Sequence, residues 1–223
     1  MPPPDPTPPF RFDYAVARWG VRIAALLGGR FRCFHKDRVP LRGGVLIVCN
    51  HQSFLDPLLA ALALNRECSF MARSTLWNHQ FLGKLIGRFN AYPVKRDSAD
   101  LTAIKDTLRR LKAGQAIVVF PEGTRTTTGR INPLRGGVAT IAQKAGVPIV
   151  PVLIEGAYAM WPRHARLPRP AQIWVEYGHP IWPKDMADQS QEVVTAQLQS
   201  TLESMHNALR RRYGLPPFDY ETD

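Results

Sequence analysis

Hydrophobic residues follow two rhythms along the chain. Short apolar runs predict buried strands, and stretches in which an apolar residue returns at every third or fourth position predict amphipathic helices. The predicted strands cover residues 45–49, 68–72, 90–94, 116–120, 148–153 and 172–177. The predicted helices cover residues 57–64, 75–88, 98–114, 137–145 and 190–213. This alternation favours a single α/β domain whose largely parallel or mixed central sheet is flanked by helices.

An earlier helical pattern lies near the amino terminus, at residues 10–29. Three arginines flank an apolar stripe that consists of Phe12, Val16, Trp19, Ile23 and Leu26. We therefore predict that residues 10–32 form an amphipathic helix on a membrane surface, where arginines can reach lipid phosphates. The alternative is that the stripe packs against the protein's own core.

Residues 1–9 are rich in proline, which disfavours both helix and strand, and we expect a disordered leader there. Residues 33–223 are expected to form the folded domain. No stretch contains the roughly 20 apolar residues that a membrane-spanning helix needs. We therefore expect a peripheral or monotopic protein on the cytoplasmic face of a membrane, without a spanning helix.

The charge of the chain points to an anionic partner. Its net charge is +11 and its pI about 10.1, which suits nucleic acid, acidic lipid or a phosphorylated substrate. Three cysteines make no paired framework and indicate a reducing compartment. The spacing of histidines and cysteines matches no metal-binding motif, so we expect no metal site.

The first group of candidate functional residues follows the predicted strand 45–49. His51 and Asp56 lie in the turn between this strand and the next helix. A neutral imidazole is suited to removing the proton of an alcohol near neutral pH. A carboxylate folded back onto the ring fixes its tautomer and stabilises the imidazolium. The alternative for Asp56 is a helix N-cap, with Pro57 in the first helical position.

The second group is Phe120-Pro-Glu-Gly-Thr-Arg125, directly after the predicted strand 116–120. Ligands of open α/β sheets bind beyond the carboxyl ends of strands. Gly123 allows a tight backbone there, and the planar fork of Arg125 suits a phosphate. Glu122 either orients that arginine or binds a substrate hydroxyl. A structural turn with a surface arginine is the alternative.

Two further motifs complete the pattern. Lys95 and Arg96 follow the predicted strand 90–94, where they can either complete an anion site or form a solvated charge cluster. Residues 147–152 form an apolar run with two prolines. The prolines favour an edge strand, or a strand that starts and bends there.

Taken in order, these motifs resemble those of the glycerophospholipid acyltransferase family, whose best-known members are 1-acyl-glycerol-3-phosphate acyltransferases. Residues 50–56 resemble its His-x4-Asp block, and residues 87–96 resemble, loosely, its block ending in arginine. Residues 120–125 match its Phe-Pro-Glu-Gly-Thr-Arg block, and residues 147–152 match its Val-Pro-x-hydrophobic-Pro-Val block. The resemblance spans about residues 44–154.

The resemblance implies an α/β fold and a reaction. A fatty acyl group moves from acyl-CoA or acyl carrier protein, a co-substrate, to the free hydroxyl of 1-acyl-glycerol-3-phosphate at a membrane surface, giving phosphatidic acid. Neither a cofactor nor a metal is implied. His51 becomes the general base and Asp56 its partner. The acceptor-binding residues become Arg96, Glu122, Gly123, Thr124 and Arg125.

Two departures from the family pattern bear on the acceptor. Leu134-Arg135-Gly136 stands where family members often have Phe-Lys before a glycine, and Lys95 is an additional cation. One alternative is therefore another lyso-lipid acceptor, such as lyso-ornithine lipid or a lysophospholipid. An alternative from another class is a non-catalytic basic binder of acidic membranes or nucleic acid. Because no nucleic-acid-binding motif appears, we expect no nucleic-acid partner.

Overall fold

The computed structural model describes residues 31–79, 83–84, 86–87, 90–94 and 101–220. The proline-rich leader, the predicted membrane-surface helix up to residue 30 and the candidate site residue Arg96 lie outside these residues. The last two residues of the range 10–32, Phe31 and Arg32, begin a strand.

A seven-stranded mixed sheet forms the centre of the domain. Its strands are β1 (Phe31–Phe34), β2 (Val45–Cys49), β3 (Cys68–Arg73), β4 (Ala91–Val94), β5 (Ala116–Val119), β6 (Ile149–Glu155) and β7 (Ile173–Tyr177). They lie in the order β1-β7-β6-β2-β5-β3-β4. Only the β6–β7 pair is antiparallel, so β1 and β7 run against the other five strands. The α/β prediction with a largely parallel or mixed sheet is confirmed.

Six α-helices whose bounds are described accompany the sheet, and residues 83–84 and 86–87 are also helical. The six helices are α1 (Asp56–Leu62), α2 (Leu101–Lys112), α3 (Val138–Ala145), α4 (Ala157–Met160), α5 (Pro183–Met186) and α6 (Gln191–Arg212). Two short 3-10 helices cover Lys36–Arg38 and Ser74–Asn78. Within the described part of the chain, no helix combines the length and the apolar character that crossing a membrane requires.

The central strands β2, β5 and β6 bury both of their faces. In β2 every residue is buried, and alternate residues point to opposite sides because strand side chains alternate with a period of two. Ile47 packs on the side covered by α1, together with Leu59. Val48 packs on the side covered by α2, α3 and α6, together with Leu111 and Leu198. Burial on both faces explains why the central strands appear as continuous apolar runs in the sequence.

One detail differs from the sequence-based predictions. Strand β6 is an interior strand between β2 and β7, so the predicted edge position is wrong. Its Pro151 is accommodated at the end of the β6–β7 ladder, where its carbonyl accepts a hydrogen bond from Gly178 beyond the last β7 residue. In α2, Leu101 is 66% exposed. The buried residues of α2 are Ala103, Thr107 and Leu111.

One edge of the sheet collects the chain segments that carry the candidate site. The parallel strands β2, β5 and β6 all end there, at Cys49, Val119 and Glu155. Because β1 and β7 run the opposite way, both begin at this edge, where Phe31 pairs with Ile173. We call it the carboxyl edge.

Candidate active site

His51 and Asp56 meet at the carboxyl edge. The turn between β2 and α1 folds back on itself, and His51 Nδ1 lies 2.7 Å from Asp56 Oδ2. The same oxygen accepts the backbone N–H groups of Gln52 and Ser53, each at 2.6 Å. Asp56 is the first residue of α1 rather than its N-cap, which is Leu55. The carboxylate therefore closes the turn that precedes the helix.

These bonds define the state of the imidazole. Since Asp56 Oδ2 accepts two amide hydrogens, the proton shared with His51 belongs on Nδ1, which leaves the lone pair on Nε2. Burial raises the pKa of the Asp56 carboxyl, while its hydrogen bonds to His51, Ser53 and Gln52 oppose that rise. The His51 ring stacks on Phe120, with 4.4 Å between ring centroids. The ring is thus held in one orientation with Nε2 as its base.

Glu122 fixes the backbone of His51. Its Oε1 accepts the His51 backbone N–H at 2.6 Å, and its Oε2 accepts both the backbone and the side-chain N–H of Asn132, at 2.9 and 2.7 Å. On the other side of the same residue, Thr126 donates its backbone N–H to the His51 carbonyl at 2.8 Å. The loop after β5 therefore binds both the backbone N–H and the backbone carbonyl of His51.

The surroundings of Glu122 shift its acidity. Burial raises the pKa of this carboxyl to about 7, although the hydrogen bonds from Asn132 and His51 act to lower it. Glu122 is 3% exposed. Both of its oxygens bond within the protein, so the geometry gives it a positioning role, and its predicted contact with the acceptor stays a prediction.

Gly123 lies in a backbone conformation that favours glycine. Its φ of +70° belongs to the left-handed region that favours glycine. A Cβ atom there would also lie 2.8 Å from the guanidinium carbon of Arg135. The turn is closed by the Gly123 N–H, which donates to the Phe120 carbonyl at 3.0 Å. Arg135 therefore packs directly on the bare glycine backbone.

Thr124 and Arg125 lie next along the same loop. The Arg125 guanidinium stacks over the Phe54 ring, 3.4 Å from its centroid, a contact that holds the guanidinium plane in place. Arg163 donates to the Thr124 hydroxyl at 3.3 Å. Both residues are half-buried beside the turn that carries His51. The two loops thus bring a base and an arginine to one edge of the sheet.

Two polar residues of the turn were missed in the sequence. Asn50 bonds across to β6, donating to the Ile154 carbonyl at 2.9 Å and accepting the Ile154 N–H at 2.7 Å. Gln52 binds Glu155 and the backbone of two loops. Their partners lie about one hundred residues away in the chain, so no local spacing signals them. Only the assembled sheet reveals them.

Ser53 and the remaining titratable groups complete the site. The Ser53 hydroxyl donates to the Trp161 carbonyl at 3.0 Å and accepts the Leu55 N–H, as expected for a hydroxyl that stabilises a local turn. Among the described residues, no group of three or more His, Cys, Asp and Glu side chains is placed to hold a metal ion.

Comparison with known proteins matches this geometry to a family. The family model for Acyltransferase matches residues 30–155, more than half of the chain. The 1-acyl-sn-glycerol-3-phosphate acyltransferase of Bacillus subtilis (strain 168) is 28% identical over 144 residues, which are 64% of this chain and 71% of that protein. The enzyme of the same name from Cocos nucifera is 31% identical over 147 residues, but the chain covers only 48% of its length.

A solved structure shares the fold. The crystal structure of the 1-acyl-sn-glycerophosphate (LPA) acyltransferase, PlsC, from Thermotoga maritima aligns with a TM-score of 0.73. The alignment covers 90% of this chain and 85% of that one, at 24% identity. The chain therefore belongs to the acyltransferase family and is an O-acyltransferase.

Proposed function

We propose that this enzyme transfers a fatty acyl group from a carrier thioester to the free hydroxyl of 1-acyl-glycerol-3-phosphate, giving phosphatidic acid. The observation that carries the proposal is the 2.7 Å contact between His51 and Asp56 on the edge of the sheet that also holds Arg125. The names of the relatives from Bacillus subtilis and Cocos nucifera support this acceptor.

The proposed reaction needs one base and no acyl-enzyme. His51 Nε2 takes the proton of the acceptor hydroxyl as its oxygen attacks the thioester carbonyl carbon. The tetrahedral oxyanion then collapses, the carbon–sulfur bond breaks, and the imidazolium returns its proton to the leaving thiolate. Asp56 stabilises the transient positive charge on the ring. The steps use no cofactor, and the thioester of acyl-CoA or acyl carrier protein is a co-substrate.

The phosphate of the acceptor is assigned to the loop after β5. Arg125 presents a planar set of donors, and the Phe54 ring packs against one face of its guanidinium group. The bare backbone of Gly123 and the Thr124 hydroxyl lie in the same loop. Arg96 remains a predicted fourth contributor. This arrangement favours an acceptor with a phosphate over one with an uncharged head group.

A membrane surface is the proposed partner of the carboxyl edge. The loop at residues 161–170 joins α4 to β7 at this edge and contains no acidic residue, while its exposed arginines are Arg163, Arg166 and Arg169. Two apolar side chains beside the site face solvent, Leu167 at 77% and Phe54 at 55% exposure. Basic and apolar groups together suit an anionic lipid layer.

The strand arrangement supports the same orientation. The apolar stripe of residues 10–29 joins the domain just before Phe31, and β1 begins at the carboxyl edge. We propose a peripheral or monotopic protein on the cytoplasmic face of the membrane, with the carboxyl edge toward the lipid. The acceptor then reaches His51 without leaving the membrane surface.

The test is an acceptor and donor panel with purified protein. Lysophosphatidic acid, lyso-ornithine lipid and a zwitterionic lysophospholipid are each offered with acyl-CoA and with acyl carrier protein. We expect turnover with lysophosphatidic acid, and its loss in His51→Ala protein that keeps the circular dichroism spectrum of the parent. Near-normal turnover in His51→Ala would refute the base, and a preference for another lyso-lipid would refute the acceptor.

A further inference from the structure

Gln52 occupies a central position beneath the catalytic turn. Its side chain is 1% exposed and makes three hydrogen bonds. The side-chain N–H₂ donates to the Gly129 carbonyl and to Glu155 Oε2, both at 3.0 Å, and the side-chain oxygen accepts the Tyr158 N–H at 3.1 Å. This one amide therefore joins the loop after β5 to the end of β6 and the start of α4.

Glu155 is held in turn by the carboxyl-terminal part of the chain. His206 Nε2 lies 2.7 Å from Glu155 Oε2, and Arg210 donates to Glu155 Oε1 at 2.5 Å. The other ring nitrogen of His206 lies 2.7 Å from the hydroxyl of Tyr220. His206 is fully buried and Tyr220 is half-buried, and burial raises the pKa of the Tyr220 hydroxyl to about 12.

The charge state of Glu155 fits this arrangement. Burial acts to raise the pKa of the carboxyl, but the hydrogen bonds from His206 and Gln52 and the charge of Arg210 outweigh it and lower the pKa. Glu155 is therefore a carboxylate at neutral pH and accepts the hydrogens offered by Gln52 and Arg210. The cluster has charge-assisted hydrogen bonds, which are stronger than neutral ones.

We propose that Gln52 is a positioning residue for the His51–Asp56 pair, and that Glu155, His206 and Tyr220 hold it in place. The link to the chemistry is the backbone N–H of Gln52, which donates to Asp56 Oδ2 at 2.6 Å, the same oxygen that bonds His51 Nδ1. Fixing the Gln52 side chain fixes this N–H, and thereby the carboxylate and the ring.

The assignment extends the active site beyond the family motifs. The family match ends at residue 155, whereas His206, Arg210 and Tyr220 lie fifty or more residues later, on α6 and the segment after it. The carboxyl-terminal helix therefore acts on the catalytic turn through a buried polar chain as well as by covering the sheet. This inference rests on the proposed role of His51.

The test combines steady-state kinetics with a matched control in the full-length enzyme. Gln52→Ala and His206→Ala should each lower kcat by about ten-fold and leave both KM values within about two-fold, since binding groups are untouched. The double variant should lose no more than the worse single variant, because both changes break one path. His206→Gln, which keeps a donor toward Glu155, should recover part of the lost activity.

Gln143→Ala is the control. Gln143 also donates its amide to two backbone carbonyls, those of Met186 and Gln189, but it lies near the end of α3 that leads to the amino end of β6. This variant should lose stability and keep kcat. Additive losses in the double variant, or an equal fall of kcat in Gln143→Ala, would overturn the proposal.

A spectroscopic measurement separates this proposal from the reaction itself. In protein labelled with ¹⁵N-histidine, the ring N–H signal that disappears in His51→Ala reports the bond to Asp56. We expect this signal to shift or broaden in Gln52→Ala and in His206→Ala, and to stay unchanged in Gln143→Ala. An unchanged signal in Gln52→Ala would refute the positioning role even if the acceptor assignment failed.

Discussion

At the scale of single residues, three buried carboxylates at the carboxyl edge differ in their partners. Asp56 bonds a ring and two amides, Glu122 bonds two backbone amides and one side-chain amide, and Glu155 bonds a histidine, a glutamine and an arginine. Burial raises the pKa of Asp56 and Glu122, while cationic and polar partners lower that of Glu155. Of these three carboxylates, Glu155 alone has an arginine among its partners.

Asp56→Asn tests the charge beside the imidazole. The asparagine oxygen can still accept the amides of Gln52 and Ser53, but it cannot stabilise the imidazolium. The second oxygen, Asp56 Oδ1, has no hydrogen-bond partner in the described part of the chain, so the substitution breaks no hydrogen bond there. We expect kcat to fall by about 10²–10⁴-fold. Stopped-flow or steady-state acyl transfer measures this, and a fall of less than about three-fold would show that the charge is dispensable.

The pH dependence of stability tests Glu122. Burial raises its pKa to about 7 from 4.5, so the unfolded chain releases this proton at lower pH than the folded protein does. The contribution of Glu122 to stability is therefore complete below pH 4.5 and is lost as the pH rises through 7. The loss is roughly 3 kcal/mol in the free energy of unfolding.

Urea unfolding at a series of pH values measures this effect. In Glu122→Gln the free energy of unfolding should not decrease in this way as the pH rises through 7, because the amide has no proton to release. The control is Glu192→Gln on the exposed first turn of α6, where hydrogen bonds lower the pKa of Glu192. In this variant the free energy of unfolding should still decrease with rising pH as it does in the parent. If the parent and Glu122→Gln show parallel pH profiles, Glu122 ionises normally in the folded protein.

At the scale of elements, the site depends on how β2 ends. The β2–β6 ladder continues for one further step through the side chain of Asn50, which takes the place of a peptide group opposite Ile154. The backbone at His51 is then free to turn toward β5, where Glu122 and Thr126 bind it. Each flanking strand therefore contributes to the position of the turn.

Asn50→Ala should destabilise the fold at this junction. It leaves the buried N–H and carbonyl of Ile154 without partners, which costs about 3 kcal/mol of unfolding free energy. Asn207→Ala is a matched control, because the Asn207 side chain also makes two hydrogen bonds to one backbone residue, the carbonyl and the N–H of Phe218. Asn207 is half-buried, so water can replace these bonds. Chemical denaturation should show the larger loss for Asn50→Ala, and equal losses would contradict the argument.

At the scale of the whole molecule, the carboxyl edge carries both the proposed catalytic residues and a basic surface. Arg166 and Arg169 are exposed there, whereas Arg42 and Lys112 are exposed near the amino ends of β2 and β5. The two pairs carry the same charge on opposite edges of the sheet. Only the first pair is expected to approach the lipid.

Charge reversal at the two edges tests this orientation. Arg166→Glu with Arg169→Glu should weaken binding to vesicles of phosphatidylglycerol and phosphatidylcholine by about ten-fold or more, since each basic residue near an anionic surface contributes about 1 kcal/mol. Arg42→Glu with Lys112→Glu should bind nearly as the parent does. Vesicle co-sedimentation measures both, and equal weakening would indicate a general charge effect without an oriented edge.

Much of this architecture could be predicted from the sequence. The central strands are buried on both faces, so their apolar runs are unmistakable, and the helix α6 carries a regular stripe. Strand β1 was missed because Phe-Arg-Cys-Phe at the sheet edge is short and has a charged residue in its middle. The one-turn helices α4 and α5 were missed because four residues give no helical period.

The candidate site was predictable where its residues are neighbours in sequence. His51 and Asp56 are five residues apart, and residues 120–125 form one motif, so local spacing reveals them. Glu155 and His206 have no such signal, because their contact joins β6 to α6 across fifty-one residues. Long-range polar contacts depend on which strands and helices become neighbours, and spacing along the chain does not encode that.

The end of β2 has a mechanical consequence. Asn50 is hydrogen-bonded to β6, and His51 is hydrogen-bonded to the loop after β5. The position of the His51 ring therefore depends on both strands that flank β2. Any change that slides those strands past each other displaces the imidazole, even when it lies far from the substrate. The position of the His51 ring thus depends on the alignment of the sheet. We therefore expect core substitutions far from the site to lower turnover before they measurably lower stability.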